Sequence, residues 1–173
     1  MDRRRADFDR FVADSTETLV RTAFLIVWDL HEAEDIVQET LLEVARRWPR
    51  VRRMSHPVAY ARRILVNRAV SGAGKRARTR SELGGEAPPE RADDTAAADA
   101  IGIHDELMQA LADLPPRQRA VLVLRYFLDL PEAEVAAALK CSLGTVKSTA
   151  SRGLARLEQA MRPTNDNTRS IAT

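Results

Sequence analysis

Thr145, Lys147, Ser148, Ser151 and Arg152 place hydroxyls and cations together in the first turns of what reads as one helix. Short hydroxyls and cations near a helix start can approach a groove closely, donate to base edges and neutralise phosphates. The chemistry implied is recognition of nucleic acid. The residues between them follow another rule. Val146, Ala150, Leu154, Leu157 and Met161 recur at spacings of three and four, which predicts an apolar stripe packed inward on the opposite face. Residues 131–161 as a whole, PEAEVAAALKCSLGTVKSTASRGLARLEQAM, read as a helix-turn-helix. Pro131 suits a first helical position, Glu132 and Glu134 favour the positive end of the helix dipole, and Val135, Ala136 and Leu139 are expected to face the second helix. Lys140, Cys141 and Ser142 leave room only for a tight turn, with Ser142 placed to cap the helix that follows. Lys140 stands where many such turns carry glycine. A plain helical hairpin with a solvated polar face would share much of this pattern.

Other chemistry finds little support in the residue pattern. His31, His56 and His104 stand at no ligand spacing, and no local motif groups a Ser, an Asp and a His, so neither a metal, a cofactor nor a catalytic centre is expected. Cys141 is alone, which excludes an internal disulfide and a thiolate cage. The N-terminal MDRRRADFDRF has no apolar core, and no run approaches the ~18 apolar residues of a membrane span. The expectation is a cytoplasmic protein without membrane insertion.

Positioning such a recognition helix requires a scaffold, and 173 residues suffice for one domain or two small ones. A formal net charge of +2 hides strong polarity along the chain. Residues 49–80 carry ten Lys or Arg and no Asp or Glu, whereas residues 81–106 carry eight acidic residues and one basic. The first segment reads as a phosphate-binding surface. The second, with Pro88-Pro89 and an alanine run after Thr95, reads as a flexible acidic linker between two compact helical domains.

Two amphipathic helices precede the basic segment. Leu19, Val20, Ala23, Phe24 and Val27 form an apolar face, and Asp29 with Glu32 resembles a capping pair for the next helix. In HEAEDIVQETLLEVARRW, Val37, Leu41, Val44, Ala45 and Trp48 are expected in a core, with Asp35, Gln38, Glu39, Glu43 and Arg46 facing away. That mostly acidic stripe is either an ordinary solvated face or a dock for a large protein. The basic segment then divides. PRVRRMSH reads as an irregular connection, and Pro57 opens a helix in which Tyr60, Ile64 and Leu65 turn inward while Arg62, Arg63, Asn67 and Arg68 stay available to a ligand. A basic helix face beside a basic loop suits the backbone of a strand better than a small anion. Asn67, an amide among cations, can read a base edge, although a local turn or capping amide is the more ordinary role.

HEAEDIVQETLLEVARRW, then PVAYARRILVNRAVS, then ELMQALADLPPRQRAVLVLRYFLDLPEAEVAAALKCSLGTVKS together resemble a bacterial RNA polymerase sigma factor of the sigma-70 family, in the small extracytoplasmic-function type that has regions 2 and 4 only. The resemblance runs from about Phe8 to Met161 apart from the acidic linker, and rests on three motifs in the right order. It implies an all-α chain: residues 6–80 as a region 2 bundle, 81–104 as the linker, 105–162 as a region 4 helix-turn-helix and 163–173 as a disordered tail. It further implies partners. In such proteins region 2 binds the clamp helices of the polymerase β′ subunit and holds the melted −10 promoter element, while region 4 binds the β flap and reads the −35 element.

On the matching positions, Asp35, Gln38, Glu39 and Glu43 would bind polymerase. Arg52, Arg53, Met54, Ser55 and His56 would form the loop that accepts a flipped base, with Arg62, Arg63, Asn67 and Arg68 along the −10 strand. Ser142, Thr145, Lys147, Ser148, Ser151 and Arg152 would meet the −35 duplex, and Arg156 its backbone phosphate. Proteins of this type are often held inactive by an anti-sigma factor, which joins core polymerase and promoter DNA among the expected partners. The segment after Asn67 departs from the pattern: Val70-Ser71-Gly72-Ala73-Gly74 stands where relatives commonly carry Trp, Tyr or Leu, which predicts weaker stacking and an early end to that helix. The alternative from another class is a stand-alone helix-turn-helix regulator, though no long heptad segment provides the dimerisation such proteins usually need.

Overall fold

The structure is a computed structural model that describes residues 3–82 and 105–162. The expected linker, apart from its first two residues, and the expected tail lie outside the described residues. Within them every regular element is helical: α1 (Arg3–Val27), α2 (Leu30–Arg46), α3 (Trp48–Val51), α4 (Pro57–Glu82), α5 (Asp105–Ala112), α6 (Pro116–Leu122), α7 (Glu132–Leu139) and α8 (Leu143–Ala160), with a π-helical turn at Val123–Phe127 between α6 and α7.

Helices α1, α2 and α4 pack on one another to form the N-terminal module. Only Trp28 and Asp29 separate the first two, and the chain turns there through a left-handed Trp28 with φ of 63°. Asp29 caps α2, its carboxylate accepting from the Glu32 amide at 2.9 Å, as the sequence predicted. Trp48 closes the far end of this module. Its ring lies 5.2 Å from Phe8 and 5.1 Å from Phe11, and its indole N–H donates to the Arg4 carbonyl at 3.2 Å.

Two expectations fail in the basic segment. Residues 49–56 are not wholly irregular: Pro49 occupies the first turn of the short helix α3, whose Val51 is fully buried. Nor does α4 end after Asn67. Ala61, Leu65, Ala69 and Ala73 keep a four-residue spacing on its buried side, so the packed face continues past the weak helix formers and carries the helix to Glu82.

Helices α5 to α8 form the C-terminal module, and the helix-turn-helix is present as α7 and α8. Pro131 sits one residue earlier than expected, at the N-cap of α7 rather than inside it. The apolar stripe of α8 is rotated from the predicted one. Val146, Thr149 and Gly153 are buried, whereas Leu154 and Met161 are 43% and 45% exposed. The cause is close approach: a Cβ on Gly153 would stand 3.1 Å from Leu122 Cδ1, so α6 and α8 touch where only a hydrogen fits comfortably. That contact turns the helix and leaves Leu154 outside.

The modules share one continuous cluster of buried apolar side chains, which includes Phe24, Ile26, Leu65 and Val66 of the first and Val121, Leu124, Val135 and Leu139 of the second. The C-terminal half of α1 is accordingly more buried than one amphipathic face requires, with Leu25 and Ile26 enclosed as well as Leu19, Ala23 and Phe24, while Val20 and Val27 are only half-buried.

Candidate nucleic-acid interface

Ser142 starts α8 from extended backbone, and its Oγ accepts the Thr145 amide at 3.1 Å, so the recognition helix begins at a fixed point. From that point Lys147, Ser148, Ser151, Arg152 and Arg156 are exposed, with Thr145 half-exposed beside them. The side chains are pre-positioned by their own helix. Arg152 Nε donates to the Ser148 carbonyl at 3.1 Å, and Lys147 Nζ lies 3.7 Å from Glu132 at the start of α7. Every sequence-predicted residue of this set therefore lies on the solvent side of one helix. Its exposed cations suit phosphates, its short hydroxyls base edges.

The basic face of α4 is arranged differently from expectation. Arg63 is exposed, but its neighbours are engaged. Arg62, with its side chain 17% exposed, lies 3.8 Å from Glu134 of α7; burial lowers its pKa from the ordinary value, and Glu134 opposes that change. Asn67 Nδ2 donates at 2.6 Å to the Arg63 carbonyl and at 2.6 Å to the Ala138 carbonyl of α7. Arg68 is held by Glu39 and by Glu43, the latter at 3.0 Å. The loop before α4 comes to the same place. Ser55 and His56 line a cleft of about 640 Å³ together with Arg62 and Arg63, and its far wall is Leu130, Glu134 and Ala138 of the second module. Met54 packs on the core beneath the loop, Arg53 is exposed, and Arg52 reaches back to Asp7 at 2.7 Å.

On α2, Asp35, Gln38 and Glu39 are exposed, while Glu43 is half-buried because Arg47 and Arg68 both reach it. The predicted acidic stripe is thus real on one side and neutralised by α4 on the other. Leu42 was missed by the sequence reading. It is 57% exposed and stands seven residues after Asp35, hence on the same face as Asp35, Gln38 and Glu39. A single exposed leucine is ordinary on a protein surface, but this one falls within the stripe expected to bind a partner.

Arg119 was missed as well. It is buried, donating from Nη1 to the Ile26 carbonyl at 2.7 Å and from Nη2 to the Ala112 and Leu114 carbonyls at 2.9 Å each, with its guanidinium 5.8 Å from the Trp28 ring centroid. Nothing in the local pattern PPRQRAV distinguishes it from a surface arginine, because all its acceptors are backbone carbonyls, two on the turn just before it and one at the distant end of α1. Tyr126 and Phe127 emerge into solvent through the π-helical turn, with Tyr126 59% exposed beside Arg125 and Leu154. Among the described residues no group of His, Cys, Asp and Glu could hold a metal ion, and no helix is long and apolar enough to cross a membrane.

Fold and site together define an all-helical protein in which a helix-turn-helix stands beside a bundle bearing a basic helix and a partly acidic flank, a class built to read nucleic acid while attached to something larger. Residues 12–79 match the family described as Sigma-70 region 2, and residues 104–157 the family described as Sigma-70, region 4. The RNA polymerase sigma-E factor of Streptomyces avermitilis is 33% identical over 95% of this chain and 90% of its own length, and that of Streptomyces coelicolor 35% identical over 90% and 86%. The ECF RNA polymerase sigma factor SigG of Mycobacterium tuberculosis is 31% identical over 94% of this chain and half of its own length. A solved structure of the sigma factor RpoE from Bartonella quintana, in complex with the anti-sigma factor NepR, has the same fold, with a TM-score of 0.68 at 24% identity over 91% of this chain and 98% of that one. The chain belongs to the sigma-70 family of RNA polymerase sigma factors, in its extracytoplasmic-function type. It is an alternative sigma factor that directs RNA polymerase to promoters.

Proposed function

We propose that the two modules divide promoter recognition between them. Residues 105–162 read the −35 duplex through Thr145, Lys147, Ser148, Ser151 and Arg152, with Arg156 on backbone phosphate and Ser142 holding the helix start. Residues 6–80 dock on the β′ clamp helices through Asp35, Gln38, Glu39 and Glu43, to which the exposure of Leu42 adds an apolar centre. The same module captures the −10 strand between the loop carrying Arg52, Arg53, Met54, Ser55 and His56 and the α4 residues Arg62, Arg63, Asn67 and Arg68. Residues 81–104 act as the tether. Melting then needs no fuel, since an extruded base held in a pocket and a strand tracked by cations offset the cost of unstacking. The protein acts without catalytic residues of its own, as a cytoplasmic initiation factor. An anti-sigma partner is part of the reading, since the Bartonella sigma factor of the same fold is held by one.

The observation that carries this reading is the exposed row on α8 behind the Ser142 cap, inside the segment matched to region 4. Lys147→Ala with Arg152→Ala removes two cations from that row. Promoter-directed transcription with core polymerase should fall about ten- to a hundredfold, from losses on the order of 1 kcal/mol per contact, while binding to polymerase is kept. Full transcription by the double variant would contradict it.

A further inference from the structure

Residues 46–54 carry five arginines and no carboxylate. Where α2 gives way to α3 the backbone turns through successive three-residue bonds: the Arg47 amide donates to the Val44 carbonyl at 3.0 Å, that of Arg50 to Arg47 at 2.9 Å and that of Arg53 to Arg50 at 3.2 Å. Side chains three apart in such turns fall one above the other. Two rows result. Trp48 and Val51 are buried and Met54 packs on the core, while Arg47, Arg50 and Arg53 are all exposed. Successive guanidiniums of the outer row therefore stand one turn apart, about 5–6 Å along its axis. The neighbouring carboxylates are already engaged. Asp7 is held by Arg52 at 2.7 Å, and Glu43 by Arg68 at 3.0 Å and by Arg47 at 3.2 Å. Arg47 is fixed further by donating to Tyr60 Oη at 2.9 Å, whereas the Arg50 and Arg53 guanidiniums pair with no group among the described residues.

We infer that Arg47, Arg50 and Arg53 form a phosphate rail, along which the captured strand continues past the base-accepting loop. The inference rests on the proposed role of that loop, to which Arg53 belongs. Three features select the backbone of a strand over other partners. Each guanidinium offers a planar fork of donors that matches phosphate oxygens. The cations are strung out one per turn instead of converging, which suits a polymer of regularly spaced charge and not a small anion. Trp48 and Val51, the large apolar residues of the segment, face inward, so the row lacks the apolar centre of a protein dock. Two unpaired cations and a third held in line beside them are a concentration of positive charge that a polyanion would neutralise.

The test follows binding of the full chain to a fluorescein-labelled mixed-sequence single strand by anisotropy over a range of salt. For single strands the logarithm of the affinity falls against that of the salt concentration with a slope of about −0.7 per phosphate contact. Arg47→Gln with Arg50→Gln should make this slope shallower by about 1.4. Arg50→Gln alone leaves the Tyr60 and Glu43 contacts of Arg47 in place and should make it shallower by about 0.7. The charge-matched control, Arg21→Gln with Arg117→Gln, removes two exposed cations outside the row and should leave the slope as it was. A wild-type slope in both row variants overturns the rail, and so does an equal change in the control. Unchanged strand binding together with lost co-purification with core polymerase marks the row as a protein dock and overturns it too. Failure of the loop reading shows separately, as full polymerase-dependent transcription by a Ser55→Ala, His56→Ala variant, which leaves the three arginines of the row in place.

Discussion

Lys140 sits at φ 51° and ψ 51°, the left-handed conformation, directly between the two helices of the reading motif. A side chain in that region costs about 1–2 kcal/mol, which glycine avoids at the expense of somewhat less than 1 kcal/mol of extra freedom in the unfolded chain. Lys140→Gly should therefore stabilise the protein by about 0.5–1 kcal/mol in urea denaturation; a destabilised variant would show that the Lys140 side chain has a compensating contact. The position was legible in the sequence as one where many such turns carry glycine, as was the Ser142 cap, because serine before an amphipathic run is a local signal. Asn67 and Arg119 were not legible in the same way. Asn67 looked like a base reader or a local amide, and it does donate to the Arg63 carbonyl one turn back, but its second acceptor, Ala138, and the Ile26 acceptor of Arg119, which was not singled out, lie far away in sequence. Local pattern reports what a residue does to its own helix and is silent on a partner that arrives from another module.

At the scale of elements, spacing located each of the helices that carry site residues but misjudged how some of them are oriented or bounded. The rotation of α8 follows from Gly153 lying against Leu122, a contact that periodicity cannot encode. Leu122 is itself buried and has little room to yield. Gly153→Ala should consequently cost about 1 kcal/mol or more, despite alanine's better helix propensity, as measured by denaturant midpoint. A stabilised variant would mean that α6 and α8 are not in such close contact. The continuation of α4 beyond Asn67 was missed because low propensity was weighed above the alanine spacing that packs the helix on the bundle. On α2 the stripe of Asp35, Gln38 and Glu39 was legible from period alone, and only its apolar member Leu42 escaped notice. Asp35→Lys places a reversed charge at an exposed position and should abolish co-purification with core polymerase, with helical circular dichroism unchanged. Leu42→Ala should weaken the same assembly about tenfold, the value of one well-packed apolar contact. Normal assembly by both variants would place the dock elsewhere.

For the whole molecule, the division of charge into a basic segment and an acidic one was visible in the sequence, and so were two helical modules and their family. Their mutual packing was not, because the contacts that join them are backbone caps, a shared apolar cluster and one Arg62–Glu134 pair between residues far apart in the chain. That packing leaves the α8 face open and engages Arg62 and Asn67 of the α4 face, while Arg63 stays exposed. The central claim, that this chain directs polymerase to promoters through those two faces, is tested most directly by reconstituting it with bacterial core RNA polymerase on a pool of genomic DNA fragments and mapping transcript starts. The account predicts discrete start sites that share two upstream sequence elements, and their loss with Lys147→Ala, Arg152→Ala. Active core polymerase that neither binds the protein nor gains specific starts from it would contradict the claim.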